Sequence, residues 1–567
     1  MDLKSLIRHA RGDEPADLLL RNARVVNVLS GEIIPTSIAV VGEHIAGFGD
    51  YGARAEIDVG GSYVTPGFVD AHVHIESSLV PPSEFARAVV PRGTTAVITD
   101  PHEIANVLGL EGIRFMFESA KYGPLSMYVM ASSCVPATTM ATSGAVLHGY
   151  DLFPLKSDPW VLGLAEVMNF PGVIAADTGV LEKIGAFRDS VIDGHCPALT
   201  GRDLQAYVAA GVRSDHESTT AGEALEKLRL GMMVFIREGT AARDLEKLLP
   251  LINPATHHRI CFCTDDCQPA DLIDRGGIDY IVRTAIAYGV DPVIALRMAS
   301  WNPAQHFGLH SRGALTPGRR ADMVVFDDLR APLARLVFRN GQLVARDGQM
   351  VVPPRPPARS LRGSINVAWD QVDLHIPAEG RRVRVIGAQP NQLVTQSLVD
   401  EPLRIDGTAL ADASTDLLKL VVIERHMSSG GVGKGFVRGM GLRMGAMASS
   451  IAHDHHNLVV VGADNASMMT AARRVSALHG GMVVAIGEQV VAEVPLPLGG
   501  LMSQEPVETV RQQLDRAVQA AHELGSPLHD PFMAMSFLAL EVIPALKLTD
   551  KGLVDVSRFE FVPLWVD

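Results

Sequence analysis

The sequence predicts an α/β fold: a (β/α)8 TIM-type barrel with a split flanking β-sandwich domain and an extra C-terminal α+β domain. Three observations predict it. Between residues 66 and 312, eight short apolar runs alternate with helix-length stretches, the pattern of βα units around a parallel sheet. Nearly every run ends, on its C-terminal side, in His, Asp, Glu or Arg, which is costly in a packed interior but is where such a barrel places its active site. Two segments of alternating apolar residues, dense in Gly, Pro and Asn, bracket the eight runs.

In chain order, residues 1–65 supply the first half of the β-domain, with short strands in ADLLLRNARVVNVLSGEIIPTSIAVVGEHIAGFG and AEIDVGGSYVTPG. The barrel, 66–312, contains the runs FVDAHVHI (68–75), TTAVITD (94–100), SMYVMASS (126–133), WVLGLAEV (160–167), SVIDGHC (190–196), VRSDHE (212–217), MMVFIRE (232–238) and RICFCTDD (259–266). Residues 313–351 resume the β pattern, with Asn340 and Gly341 as a hairpin turn. The Pro- and Arg-rich stretch 352–363 reads as a linker. Residues 364–567 mix strand runs such as DLLKLVVIE and NLVVVGADN with helices such as SMMTAARRVSALHGG, whose paired glycines mark a helix stop.

With 47% apolar and 20% charged residues in 567, the chain is expected to be a globular protein of two or three domains. The N-terminus lacks the apolar core and small-residue cleavage site of a secretory signal, and no apolar run is long enough to cross a bilayer. A formal charge of −14 argues against nucleic acid as a partner and favours a neutral or basic small molecule. Five cysteines, few and odd in number, fit a reducing cytoplasm. Cys261, Cys263 and Cys267 have a metal-like spacing, but the first two alternate inside an apolar run and read as buried structural thiols.

An H-x-H on a strand sends both imidazoles to one face, where they can bind one metal. His72 and His74 form such a pair, yet 20 histidines in this length make roughly one H-x-H expected by chance, and a second occurs at His453 and His455. Their company gives the pair its weight. Glu166 ends the fourth run, His195 the fifth, His216 the sixth and Asp265 the eighth, so metal ligands stand at successive strand ends. Four histidines and two carboxylates suffice for two divalent ions, with Glu166 placed to bridge them. Manganese and iron suit this set, and zinc is also compatible.

The segment P-G-F-V-D-A-H-V-H-I at 66–75 resembles the opening strand motif of the amidohydrolase superfamily, and T-D-D at 264–266 its closing aspartate. Among its branches, D-P-H-E at 100–103, G-L-A-E-V-M-N at 163–169, D-G-H-C-P at 193–197 and S-D-H-E at 214–217 resemble the adenine deaminases. The likeness continues through A-H-D-H-H-N at 452–457, G-G-M-V-V at 480–484 and S-F-L-A-L at 536–540. This resemblance implies a binuclear metal centre, a purine substrate and a place in purine salvage or adenine catabolism. Many members bridge their metals with a carboxylated lysine, but the fourth run has no Lys, and Glu166 is expected in that place.

On this reading a hydroxide held between two metals attacks C6 of adenine, giving hypoxanthine and ammonia. Asp265 accepts the hydroxide proton and passes it to the departing amino group. Glu103 is the candidate acid at ring nitrogen N1, with Asp100 positioning it or shuttling protons. The competing reading of D-P-H-E is a helix N-cap with an acidic first turn. His102, Ser133, Arg237, Glu238 and His455 are candidate substrate contacts, Ser133 with its neighbours Ser132 and Cys134, and Arg237 with Glu238 equally readable as structural. Glu217 would point to the opposite face if its strand continued. The cluster His453, Asp454, His455 and His456 reads as an extra metal site, a lid over a neighbouring active site, or a solvated loop. A homo-oligomer, most simply a dimer, is expected. Two rival readings are a cyclic amide hydrolase of the dihydroorotase or hydantoinase kind, on the same two-metal site, and a non-catalytic scaffold, which six intact ligand positions disfavour.

Overall fold

The computed structural model describes residues 2–121, 123–240, 242–353, 361–390 and 392–566, so most of the expected linker at 352–363 lies outside the described residues. All eight apolar runs contain strands: Phe68–His74, Thr94–Thr99, Ser126–Ala131, Val161–Val167, Val191–Gly194, Ser214–Asp215, Met233–Arg237 and Ile260–Cys263. After Thr264 a two-residue strand, Asp265–Asp266, pairs with the first of them. Among the described residues these strands are parallel and form a sheet of six and a sheet of three. The six run in the order 191–194, 161–167, 126–131, 94–99, 68–74 and 265–266, and the three run 214–215, 233–237 and 260–263.

The runs are continuously apolar because both faces are covered. Every residue of Phe68–His74, Thr94–Thr99 and Ser126–Ala131 is buried. Cys261 and Cys263 pack among Val69, Ala71, Ile98, Met130 and Phe235, so the expectation of buried structural thiols holds. Val73 shares the parity of Val69 and Ala71 yet packs in a different cluster with Val97 and Val129. Its ladder to the second strand shifts register between Asp70 and Val73, and such bulges re-aim side chains next to functional sites.

Strands from residues 16–66 and 323–350 share one nine-stranded sheet, joined by antiparallel pairing of Tyr63–Pro66 with Met323–Phe326. The expected hairpin turn is present: Asn340 and Gly341 have φ of 50° and 76° between strands Leu336–Arg339 and Gln342–Arg346. Further on, an eight-stranded sheet is antiparallel except where Val383–Gly387 runs alongside Val432–Arg438. Helices Asn465–Ala477 and Val507–Glu523 pack on it. The loop joining its strands Ala446–Ser449 and Leu458–Gly462 carries the histidine cluster. Among the described residues no helix is long and apolar enough to cross a membrane.

Candidate metal centre and active site

Where the strands end, their side chains turn polar and converge. His72 and His74 bring their Nε2 atoms to 3.1 Å of each other. The Nδ1 of His74 lies 2.9 Å from the carbonyl oxygen of Asp100, which can only accept, so Nδ1 carries the hydrogen and Nε2 presents its lone pair. Glu166 occupies the centre. Its Oε1 is 3.6 Å and 3.2 Å from Nε2 of His72 and His74, while its Oε2 is 2.8 Å from His195 Nδ1 and 3.3 Å from His216 Nε2. Each carboxylate oxygen therefore faces its own pair of histidines.

Asp265 completes the ring, with Oδ1 3.5 Å from His72 Nε2 and 3.2 Å from His74 Nε2. Its backbone is left-handed, φ 57°, an uncommon state for a non-glycine residue that persists only where neighbours fix it. Thr264 supplies the fixing: its N–H and hydroxyl donate to Asp70 at 3.1 Å and 2.6 Å, tying this bend to the first strand. Burial would raise the Asp265 pKa, but Arg237, donating to Oδ2 at 2.9 Å, holds it well below the usual carboxylate range.

The donor set fits divalent cations. His72, His74 and Glu166 bring ligand atoms within 4.8 Å of one another, as do His72, His216 and Asp265, and also Glu166, His195 and His216. Imidazole nitrogen with carboxylate oxygen is the chemistry of first-row divalent ions. The Nε2 of His216 is buried without a hydrogen-bond partner, a costly state that a coordinated cation relieves.

Glu217 corrects an expectation. Its strand stops at Asp215, so alternation does not extend to it. Its Oε1 instead lies 3.6 Å from His195 Nδ1 and 3.4 Å from His216 Nε2, and Arg237 spans it and Asp265, donating to Glu217 Oε2 at 3.1 Å.

The D-P-H-E segment opens the helix His102–Leu108, but its N-cap is Pro101, with no side-chain cap bond. Asp100 instead accepts from Ser132 at 2.8 Å and pairs with His102 Nδ1 at 2.9 Å. His102 Nδ1 is 3.4 Å from Glu166 Oε1, and its Nε2 is 3.3 Å from Glu103 Oε1. Glu103 is gripped from the far end of the chain: His453 Nδ1 is 2.5 Å from Oε1, and His456 Nε2 bonds Oε2. His456 Nδ1 accepts from the Ala452 N–H, which leaves the ring hydrogen on Nε2 as a donor to Glu103. Burial would raise the Glu103 pKa, but His453, His456 and His102 hold it well below the usual range.

Residues 452–457 are all buried, so the solvated-loop reading fails. The cluster reaches the active site of its own chain, through His453, Asp454 and His456. His455 turns away, its Nε2 3.2 Å from the Ala539 carbonyl. Two other substrate candidates also face elsewhere. The Ser133 hydroxyl donates to the Glu166 carbonyl at 2.5 Å, and Glu238 accepts from Leu245 N–H and Arg275, both at 3.2 Å. None of these three lines the cavity over the metal ligands, whereas His102 and Arg237 do. That cavity has a polar floor of His74, Glu103, Glu166, His195, His216 and Asp265 and an apolar roof of Leu393, Phe537, Leu540, Val542 and Ile543.

Residues 63–351 match the amidohydrolase family model, and residues 392–560 match that of the adenine deaminase C-terminal domain. A curated protein of Desulfatibacillum aliphaticivorans named adenine deaminase is 49% identical over 99% of this chain and 99% of its own. One of the same name from Brucella suis is 46% identical over 99% of this chain and 96% of its own. A solved structure titled as an adenine deaminase is 16% identical, covering 58% of this chain and all of the other at a TM-score of 0.46. By the family match and the full-length relatives, the chain belongs to the amidohydrolase family, in its adenine deaminase branch.

Proposed function

We propose that this protein hydrolyses adenine to hypoxanthine and ammonia at a site holding two divalent metal ions, manganese or iron with zinc also compatible. His72, His74 and Asp265 would hold one ion, His195 and His216 the other, and Glu166 would bridge them. When bound, such ions supply Lewis acidity and make water a nucleophile near neutral pH by lowering its pKa.

The chain's own residues orient the base and handle protons. The apolar roof accepts the faces of a flat heterocycle and the polar floor its edge. Asp265, kept ionised and aimed by Arg237, takes a proton at Oδ1 and returns it to the leaving amino group. Glu103 moves a proton to ring nitrogen N1. Because Glu103 is itself held as a carboxylate, that proton comes through it from His102 or His453. Asp100 positions His102.

We also propose that the eight strands close into a (β/α)8 barrel. The two parallel sheets are bridged at one seam by Arg213 N–H donating to the Ile192 carbonyl at 2.9 Å, where a Cβ on Gly194 would meet Ser214 O at 2.3 Å. At the other seam the chain passes directly from Ile260–Cys263 to Asp265–Asp266, which pairs with the first strand. A cytoplasmic location belongs to the same reading, supported by five unpaired, buried cysteines. So does a homodimer, which light scattering would test.

One observation carries the choice of adenine over a cyclic amide. The adenine deaminase relatives align over 99% of the chain, including the C-terminal segment that grips Glu103. Incubating metal-replete protein with adenine should yield hypoxanthine and ammonia in equal amounts. Opening of dihydroorotate or a hydantoin, with adenine unchanged, would overturn the assignment.

A further inference from the structure

A second, smaller cavity lies directly behind Glu103. Glu103 and His453 line both it and the cavity over the metal ligands, so they form the wall between the two. Its volume, about 20 Å3, exceeds the ~10–15 Å3 that one water-sized molecule requires.

Several polar atoms around this space can accept a hydrogen bond. Glu76 Oε1 accepts from Ile104 N–H at 3.2 Å, but Glu76 Oε2 is buried and has no partner, in a residue only 2% exposed. The Ser77 hydroxyl donates to Asp266 at 2.5 Å and the Ser536 hydroxyl to the Met533 carbonyl at 2.7 Å, leaving lone pairs on both oxygens. The Gln268 side chain, which also lines the space, donates to Asp530. His453 Nδ1 and His456 Nε2 are spent on Glu103. No Lys or Arg lines the space among the described residues. A small guest beside Glu76 Oε2 must donate to it. Water offers only two donors, whereas ammonium offers four and nothing else.

We propose that this cavity receives the ammonium released by deamination, with Glu76 as its principal acceptor. The inference rests on the function proposed above, whose balance at neutral pH is adenine plus water plus one proton giving hypoxanthine plus ammonium. The C–N bond at C6 breaks, the leaving nitrogen takes its protons, and the product passes the Glu103–His453 wall away from the roofed purine chamber. Separate lodging of the two products lets ammonium leave without retracing the path of the base.

Thallous ion resembles ammonium in size and charge and scatters anomalously. Crystals of the metal-loaded protein soaked in thallous acetate should show a peak beside Glu76 Oε2 that is absent from Glu76→Gln. Density for water only in both proteins would overturn the proposal. In solution, ammonium chloride should inhibit wild-type turnover relative to sodium chloride at equal ionic strength. Its inhibition constant should rise about ten-fold in Glu76→Gln, the size of one hydrogen bond to a charged group, and an unchanged constant would count against the site. Should Glu76→Gln not fold, Gln268→Leu gives the same two readouts. The thallous peak needs no turnover, so a protein that binds the ion but leaves adenine intact would refute the proposed reaction and not the cation site.

Discussion

Glu103 Oε1 lies 2.5 Å from His453 Nδ1 although 350 residues of sequence separate them. With His456 on the other oxygen, the C-terminal segment sets the orientation of a carboxylate at the end of the second strand. Replacing His453 by Gln should lower kcat by about 10²-fold, the lower range for a proton-transfer partner, with little change in KM or metal content. Burial opposes charge on His453, yet the Glu103 carboxylate raises its pKa to about 9. Wild-type kcat should therefore fall as pH rises through about 9, and this limb should be missing from His453→Gln. An unchanged pH profile would reduce His453 to a packing role.

Glu166 shares its two oxygens between two histidine pairs. Glu166→Gln removes one negative charge while keeping the shape, so metal analysis should find fewer than two ions per chain. Activity should fall by more than about 100-fold, since even outer hydrogen-bond partners of metal ligands are worth 10–100-fold. Two ions retained with full activity would contradict the bridging role.

Arg237 spans Glu217 and Asp265 with a rigid fork that lysine cannot reproduce. Arg237→Lys keeps the charge and should still lower kcat by about 10–100-fold through misdirection of Asp265. Circular dichroism should show the fold retained.

Lys547 donates to the carbonyls of Leu393 and Phe537, two residues of the apolar roof, at 3.0 Å and 2.7 Å. Burial lowers its pKa to about 7, against 10.5 in the unfolded chain. Between pH 7 and 10.5 the unfolded state binds more protons at this position, so its contribution to stability rises with pH across that window. The difference in Tm between wild type and Lys547→Met should move in favour of wild type from pH 7 to pH 10. A constant difference would contradict the buried titration.

Much of the site is legible in the sequence because a strand buried on both faces can end in His, Asp or Glu only where those groups find partners. This made His72, His74, Glu166, His195, His216 and Asp265 stand out, and the structure brings all six together. Alternation misplaces Glu217 because the strand ends at Asp215, before it. His453 and His456 were visible only as a dense cluster, since contacts across more than 300 residues leave no local pattern. The cluster's second H-x-H drew attention to His455, whose ring bonds the Ala539 carbonyl instead. Glu76, two residues beyond His74, carries no pattern in the sequence, and only its unpartnered oxygen distinguishes it.

The most direct test titrates metal-free protein with manganese while hypoxanthine formation from adenine is followed. The account predicts a rate that climbs to a plateau at two equivalents per chain, with one ammonia released per hypoxanthine. A plateau at one equivalent, or no turnover of adenine by protein that holds two ions, would contradict it.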